Sequence, residues 1–345
     1  MCDKVNTDLP LFCPCPECNS YQKTDNKITK DGVYKTKSDQ EPRQMYRCHG
    51  GNHRFSETKY SDLHNKQGSF KEYEMAAKMT SYGLSHEQVA DILGRDIRTI
   101  EQWLKNIGKK SEVFHLFICG FLKLNLQFIQ MDELWSFLKN KNHQLWVFIA
   151  FDVPSKFWID FELGSRTNHT ASRLVSQVKS LGNWTDGQVL KITTDKLAAY
   201  KNALSKHFVD IPYHYLQIVK KRYKRRLVTV KKCFVKGTDK DFPQGTQNTS
   251  FIERFNLTLR QHVSFLVRKT LGYCKSKNNF KHNLWINLYN YNYIHHHKSL
   301  RIEITENTQK FKKRYQHYTP AMKMGITHSV LSWRELLTIP IHSSH

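Results

Sequence analysis

Val189-Leu190-Lys191-Ile192-Thr193-Thr194-Asp195 is an apolar run that closes on an acid. Its length and its β-branched residues fit a strand inside a sheet, and the acid falls where such a strand would end. A helix-like stretch near 170–181 precedes it, and three more strand-like runs lie before that. Leu124, Leu126 and Phe128 alternate up to Met131-Asp132-Glu133-Leu134-Trp135. Leu145-Trp146-Val147-Phe148-Ile149-Ala150-Phe151 is continuously apolar, as expected of a strand covered on both faces. Phe157, Ile159 and Phe161 alternate with Trp158, Asp160 and Glu162.

Three strands, a helix and a strand ending on an acid is the order of an RNase-H-like α/β core. In such a sheet the first and fourth strands are neighbours, so Asp132 and Asp195 are expected side by side. Further along, Ser250-Phe251-Ile252-Glu253-Arg254-Phe255-Asn256-Leu257-Thr258-Leu259-Arg260 reads as the start of an amphipathic helix. Glu253 and Arg260 stand two helical turns apart and share a face. Ile252, Phe255, Leu259, Val263 and Leu266 form the stripe that docks it.

Three carboxylates brought close repel one another unless a cation sits among them. Hard oxygen ligands favour Mg²⁺ or Mn²⁺, and two such ions could activate a water or a 3′-hydroxyl for in-line phosphoryl displacement. Arg260 could orient Glu253 or grip a phosphate. Asp152, Asp160 and Glu133 compete for the first acidic position. Asp152 precedes Val-Pro-Ser and reads more simply as a turn residue.

The chain has 345 residues and carries 54 Lys+Arg against 30 Asp+Glu, a formal charge of +24. That excess favours polyanionic partners through phosphate neutralisation. An acidic lipid surface is the competing partner, but no basic amphipathic anchor stands out. Residues 1–10 are polar and do not resemble a secretory signal. The apolar region at 113–131 is interrupted by His115, Lys123, Asn125, Gln127 and Gln130, which argues against a membrane span. The expectation is a cytoplasmic, DNA-associated protein.

Four of the eight cysteines fall within the first eighteen residues. In a reducing compartment such clustering favours metal binding. Cys15 and Cys18 form one knuckle, with Cys13 as a spare, and Cys48 and His53 form a second. Together they fit a tetrahedral zinc in a ribbon-like head over 1–60, with His49 as an alternative fourth ligand. Residues 70–110 read as a helix-turn-helix. Ser85 and Gln88 make a capping box, Val89, Ile92 and Leu93 a buried face, and Gly94 the turn. Arg98, Thr99, Gln102 and Lys105 face outward on the third helix, able to reach base edges and phosphates. A plain three-helix bundle is the alternative. Between the second and third acids lies the run Lys220, Lys221, Arg222, Tyr223, Lys224, Arg225 and Arg226, suited to a DNA backbone. A core over 122–300 and a basic tail over 301–345 complete the layout.

Residues 130–137, 194–200 and 250–261 closely resemble the blocks of the IS-one family of insertion-sequence transposases. The resemblance implies a DDE enzyme in which Asp132, Asp195 and Glu253 bind metal and Arg260 is the basic residue beyond the glutamate. It also implies a zinc-finger-like head, a helix-turn-helix, terminal inverted repeats and target DNA as partners, and a dimer or larger synaptic assembly. A transposase-derived regulator without catalysis and a nuclease that cuts without joining are the alternatives. The upstream DNA-reading module and the family blocks favour the transposase.

Overall fold

The computed structural model describes residues 13–21, 23, 27–36, 39–57, 59, 68–185, 187–224, 226–267, 273–304 and 314–339. The chain divides into two compact units, Met1–Ala77 with Ser332–His345, and Lys78–Leu331.

In the first unit, β1 (Ile28–Thr36), β2 (Asp39–Cys48) and β3 (His53–Ser56) form an antiparallel sheet in that order. Tyr46 and Phe55, paired across β2 and β3, bury their rings against Cys13, Cys18 and Cys48. The unit boundary falls within α1 (Phe70–Ser81).

In the second unit, α2 (His86–Leu93) begins with the expected capping box. Ser85 N–H donates to Gln88 Oε1 at 2.9 Å, and Gln88 N–H donates to Ser85 Oγ at 3.3 Å. It ends at Gly94, whose φ of 60° lies in the left-handed region. Val89 is buried, but Ile92 is 55% exposed, so the buried face expected of α2 is narrower than its apolar residues suggest. The helix α3 (Ile97–Leu122) runs 26 residues without a break. It crosses the boundary expected near 110–122, where no proline stands and the single glycine, Gly120, is accommodated within the helix. It packs on α7, and Gly108 permits the approach: a Cβ there would fall 2.5 Å from His282 Cβ.

The core is a six-stranded mixed sheet. Its strands are β4 (Phe128–Phe137), β5 (Gln144–Asp152), β6 (Trp158–Gly164), β7 (Leu190–Asp195), β8 (Tyr213–Tyr223) and β9 (Arg226–Lys236). They lie in the order β6-β5-β4-β7-β8-β9, with β4, β7 and β8 parallel and the other pairs antiparallel. Between them run α4 (Asn168–Leu181), which packs on β6 and β5, and α5 (Ala198–His207), which packs on α4. The helix α6 (Ser250–His262) packs on β4 and buries Ile252, Phe255 and Leu259, as its stripe requires. α7 (Lys277–Tyr289) passes into a π-helical turn, Asn290–Ile294. Phe148 of β5 meets Tyr200 of α5, whereas Phe151 meets Phe255 of α6. Since side chains alternate along a strand, α5 and α6 cover opposite faces of the sheet.

The last segment is more ordered than a basic tail. β10 (Ile302–Ile304) pairs with β11 (Arg314–Gln316), and α8 (Pro320–Lys323) and α9 (Trp333–Thr338) follow. Trp333, Leu336 and Leu337 of α9 are buried. Lys310, Lys312 and Lys313 of the expected tail lie outside the described residues, as does the side chain of Arg314. Among the described residues no helix is long and apolar enough to cross a membrane.

Candidate functional site

β4 and β7 pair in parallel from Phe128↔Lys191 to Met131↔Thr194, which leaves Asp132 and Asp195 next to each other just past the last pair. Asp132 is not at a strand end, as its run suggested. β4 continues six residues past Met131, paired with β5 alone, because the apolar residues Leu134 and Trp135 still have Val147 and Trp146 to pair with. Side-chain oxygens of Asp132, Glu133 and Asp195 lie within 4.8 Å of one another.

Glu133 follows Asp132 and points to the α5 face. There it accepts from Arg166 Nε at 2.9 Å and from the Tyr200 hydroxyl at 3.4 Å. Arg166 Nη2 also lies 3.9 Å from Asp195 Oδ2, and its guanidinium stands over the Trp146 ring. Arg166 escapes the sequence reading because it sits between β6 and α4, outside any periodic pattern.

Asp132 faces α6. Asn256 Nδ2 donates to Asp132 Oδ2 at 2.7 Å. Two residues earlier on the same face of β4, Gln130 binds the start of α6 with both ends of its amide. Its Oε1 accepts from Ile252 N–H at 2.9 Å, and its Nε2 donates to the Asn248 carbonyl at 2.7 Å. Glu253, one turn before Asn256, is thereby held at the same edge. Its carboxylate is turned to β8, where Lys220 Nζ donates to Oε1 and the Thr249 hydroxyl donates to the same oxygen at 2.5 Å. Arg260, expected beside Glu253, donates from Nη1 to the Leu266 carbonyl at 3.3 Å.

Burial pushes the Asp132 carboxyl up to about 7, with Glu133, Asp195 and Glu253 adding their negative charge. A divalent cation would reverse that destabilisation of the charged form. The donors suit a hard ion, since all are oxygens. Asn256 Oδ1, beside Asp132, is a further buried oxygen without a hydrogen-bond partner.

The rival acids are placed elsewhere. Asp152 closes a turn, accepting from Ser155 N–H at 3.0 Å. Asp160 is buried in β6 and accepts from Phe161 N–H at 2.7 Å.

In the cysteine-rich unit the ligand atoms that converge are those of Cys13, Cys18, Cys48 and His53, within 4.8 Å of one another. Cys13 thus stands where the Cys-x-x-Cys spacing put Cys15. The reason is local: Cys15 N–H donates to Cys13 Sγ at 3.5 Å, so the loop wraps its backbone around the first sulfur. Cys13 Sγ lies 3.2 Å from His53 Nε2, and Cys18 Sγ lies 3.6 Å from Cys48 Sγ. Gly51 makes room, because a Cβ there would fall 2.6 Å from Cys18 Sγ. His49, the alternative ligand, instead meets Thr29 Oγ1 at 3.0 Å. Three soft sulfurs and an imidazole suit zinc.

Of the residues expected to meet DNA, Arg98, Gln102 and Lys105 are exposed on α3, and Thr99 is half-buried. Lys221, Lys224 and Arg226 are exposed near the tip of the β8–β9 ribbon, while Lys220 is engaged by Glu253. Arg222 lies in β8 with its side chain outside the described residues, and Arg225 is outside them altogether.

Residues 126–238 match the family described as IS1 transposase, a span that includes Asp132 and Asp195 and stops before Glu253. Over 147 residues the chain is 29% identical to the insertion element IS1 4 protein InsB of Escherichia coli (strain K12), which covers 43% of this chain and 65% of that protein. It is also 29% identical over 147 residues to the insertion element IS1 protein InsB of Shigella sonnei, covering 82% of that protein. Through residues 126–238, therefore, the family this chain matches is the IS1 transposases.

Proposed function

We propose that this protein is a DDE transposase with an RNase-H-like core. It binds the terminal inverted repeats of its insertion sequence, cleaves the 3′ ends and joins them to target DNA. The observation that carries this reading is the parallel pairing of β4 with β7. It sets Asp132 beside Asp195 while Gln130 and Asn256 hold the Glu253 helix on the same strand.

Asp132, Asp195 and Glu253 would hold two Mg²⁺ or Mn²⁺ ions. When bound, these ions lower the pKa of an attacking water or 3′-hydroxyl and stabilise the leaving oxygen. The remaining steps belong to the chain. Asn256 orients the Asp132 carboxylate, and Gln130 fixes the entry of α6. Arg166 neutralises Glu133, leaving Asp132 and Asp195 to face the substrate. The ribbon carrying Lys221, Lys224 and Arg226 binds the backbone of the DNA end, and a helix-turn-helix over 70–110 reads its bases through Arg98, Thr99, Gln102 and Lys105. The cysteine cluster holds a structural zinc. Two ends must be joined together, so the working form is a dimer or larger, acting in the cytoplasm.

The test is incubation of the purified protein with element-end DNA and Mg²⁺, scoring cleavage and strand-transfer products. Asp132→Ala, Asp195→Ala and Glu253→Ala should each lower both by at least about 10²-fold, the scale of losing one group from a preorganised electrostatic site. Duplex binding should remain. Retained cleavage in Asp195→Ala would remove the triad.

A further inference from the structure

Glu253 and the carboxylates it would join are neighbours that do not meet. The close acidic set is Asp132, Glu133 and Asp195. Glu253 instead engages Lys220 Nζ and the Thr249 hydroxyl. Helix α6 itself is not withdrawn, because Asn256, three residues further along, already contacts Asp132. Residues three apart on a helix share a face, so Glu253 and Asn256 project from the same side of α6. Lys220 in turn sits at the root of the basic ribbon, and its ammonium donates both to Glu253 and to Thr249 Oγ1 at 3.0 Å. The ion pair is part-exposed, with the Lys220 side chain 27% and the Glu253 side chain 47% accessible, so solvent can compete for it.

We propose that Lys220 is a latch. It holds Glu253 away from Asp132 and Asp195 until a divalent cation takes the carboxylate, and the freed ammonium then faces the phosphate backbone carried along Lys221, Lys224 and Arg226. This rests on the reading of Asp132, Asp195 and Glu253 as metal ligands. Metal and DNA then reinforce each other's binding through one side chain, by the same factor in both directions. The strength is that of a part-exposed ion pair, about threefold to fivefold.

Calorimetric titration of Mg²⁺ into the full chain without DNA tests the latch. Lys220→Met should tighten Mg²⁺ binding about threefold to fivefold, because the competitor for Glu253 is gone. In a Glu253→Gln background the same substitution should do nothing. Lys220→Gln, which keeps a hydrogen bond to Thr249 without the charge, should behave like Lys220→Met and serves if that variant folds poorly. Duplex affinity at fixed ionic strength gives the reciprocal reading: Mg²⁺ should strengthen wild-type binding by the same factor, and the Lys220→Met response should be smaller. Tightening of equal size in the Glu253→Gln background would mean general repulsion by a nearby lysine and would overturn the latch. So would an Mg²⁺ affinity that Lys220→Met leaves unchanged or weakens. If the wild type binds Mg²⁺ and Glu253→Gln loses it while Lys220→Met is silent, the latch alone falls. If the wild type binds no Mg²⁺, the metal reading falls with it.

Discussion

Cys13, Cys18, Cys48 and His53 come from the loops and strand ends of one small sheet, whereas Asp132, Asp195 and Glu253 come from two central strands and a helix far apart in the chain. The two sets also differ in the partners their side chains meet. Neutral thiols and an imidazole can hydrogen-bond to one another, and they do, in the pairs Cys13 with His53 and Cys18 with Cys48. Burial pushes the Cys13 thiol up to about 12, whereas at Cys48 the effect of burial is outweighed by hydrogen bonds from the Gly51 backbone, Cys18 and Cys13, which bring that thiol down. Ionised carboxylates cannot share protons in that way, so side-chain cations fill the role: Arg166 at Glu133 and Lys220 at Glu253. The thiols and the imidazole thus meet one another, while the carboxylates meet side-chain cations.

The largest effect that separates the two sets is expected in the cysteine unit, where holding the proposed zinc would be one event with folding. Cys13→Ser should lose the bound zinc and the cooperative melting of that unit, while Cys15→Ser should retain about one zinc per chain. Elemental analysis with thermal melting decides it, and zinc retained in Cys13→Ser would restore the Cys-x-x-Cys assignment. Removing zinc with a chelator should leave Mg²⁺ binding by the core measurable.

An intermediate effect is expected at the support of the acidic set. Gln130→Ala removes two hydrogen bonds that pin α6 to β4, each worth on the order of 1 kcal/mol. Cleavage should fall about 10-fold to 100-fold, the range for groups that orient metal ligands. Zinc content and duplex affinity should not move. Equal losses of duplex binding and cleavage would mean that Gln130 serves the fold rather than the site.

The smallest effect is expected at an acid outside both sets. Burial first, then the charge of Glu162 and Glu112, pushes the Asp160 carboxyl up to about 8. The unfolded chain releases that proton near pH 4, roughly its ordinary value. The folded state therefore binds the extra proton between those limits, and its stability falls as pH rises from about 4 through about 8. Asp160→Asn should flatten that decline in melting temperature while leaving cleavage intact. A slope unchanged by the substitution would assign the pH dependence to other groups.

Much of this was legible in the sequence wherever local pattern and tertiary context agree. The apolar runs locate β5 and β7, the Ser85–Gln88 box starts α2, and the stripe through Ile252, Phe255 and Leu259 buries α6 as read. The adjacency of Asp132 and Asp195 follows from strand order. What escaped depends on rotamers and loop paths. Spacing alone ranks Cys15 over Cys13, because it cannot tell which sulfur the backbone wraps around. Arg166 carries no periodic signal, and its role exists only once β6 returns beside β4 through β5. Glu253 reaches the right edge of the sheet, but its carboxylate belongs to Lys220, a residue the sequence assigns to DNA.

Asp132 and Glu133 are consecutive, yet one serves the face of α6 and the other the face of α5. The placement of the proposed acidic set is thus a matter of parity, odd against even, along a single strand. One missing residue ahead of Met131 would bring Glu133 to the register position of Asp132, one extra would bring Met131 there, and either would take Glu133 from Arg166. Composition would survive such an insertion almost unchanged, and so would charge. Across the segment 128–132 a change of length would therefore disturb both faces of the sheet at once, whereas a substitution such as Gln130→Ala disturbs only the one that holds α6.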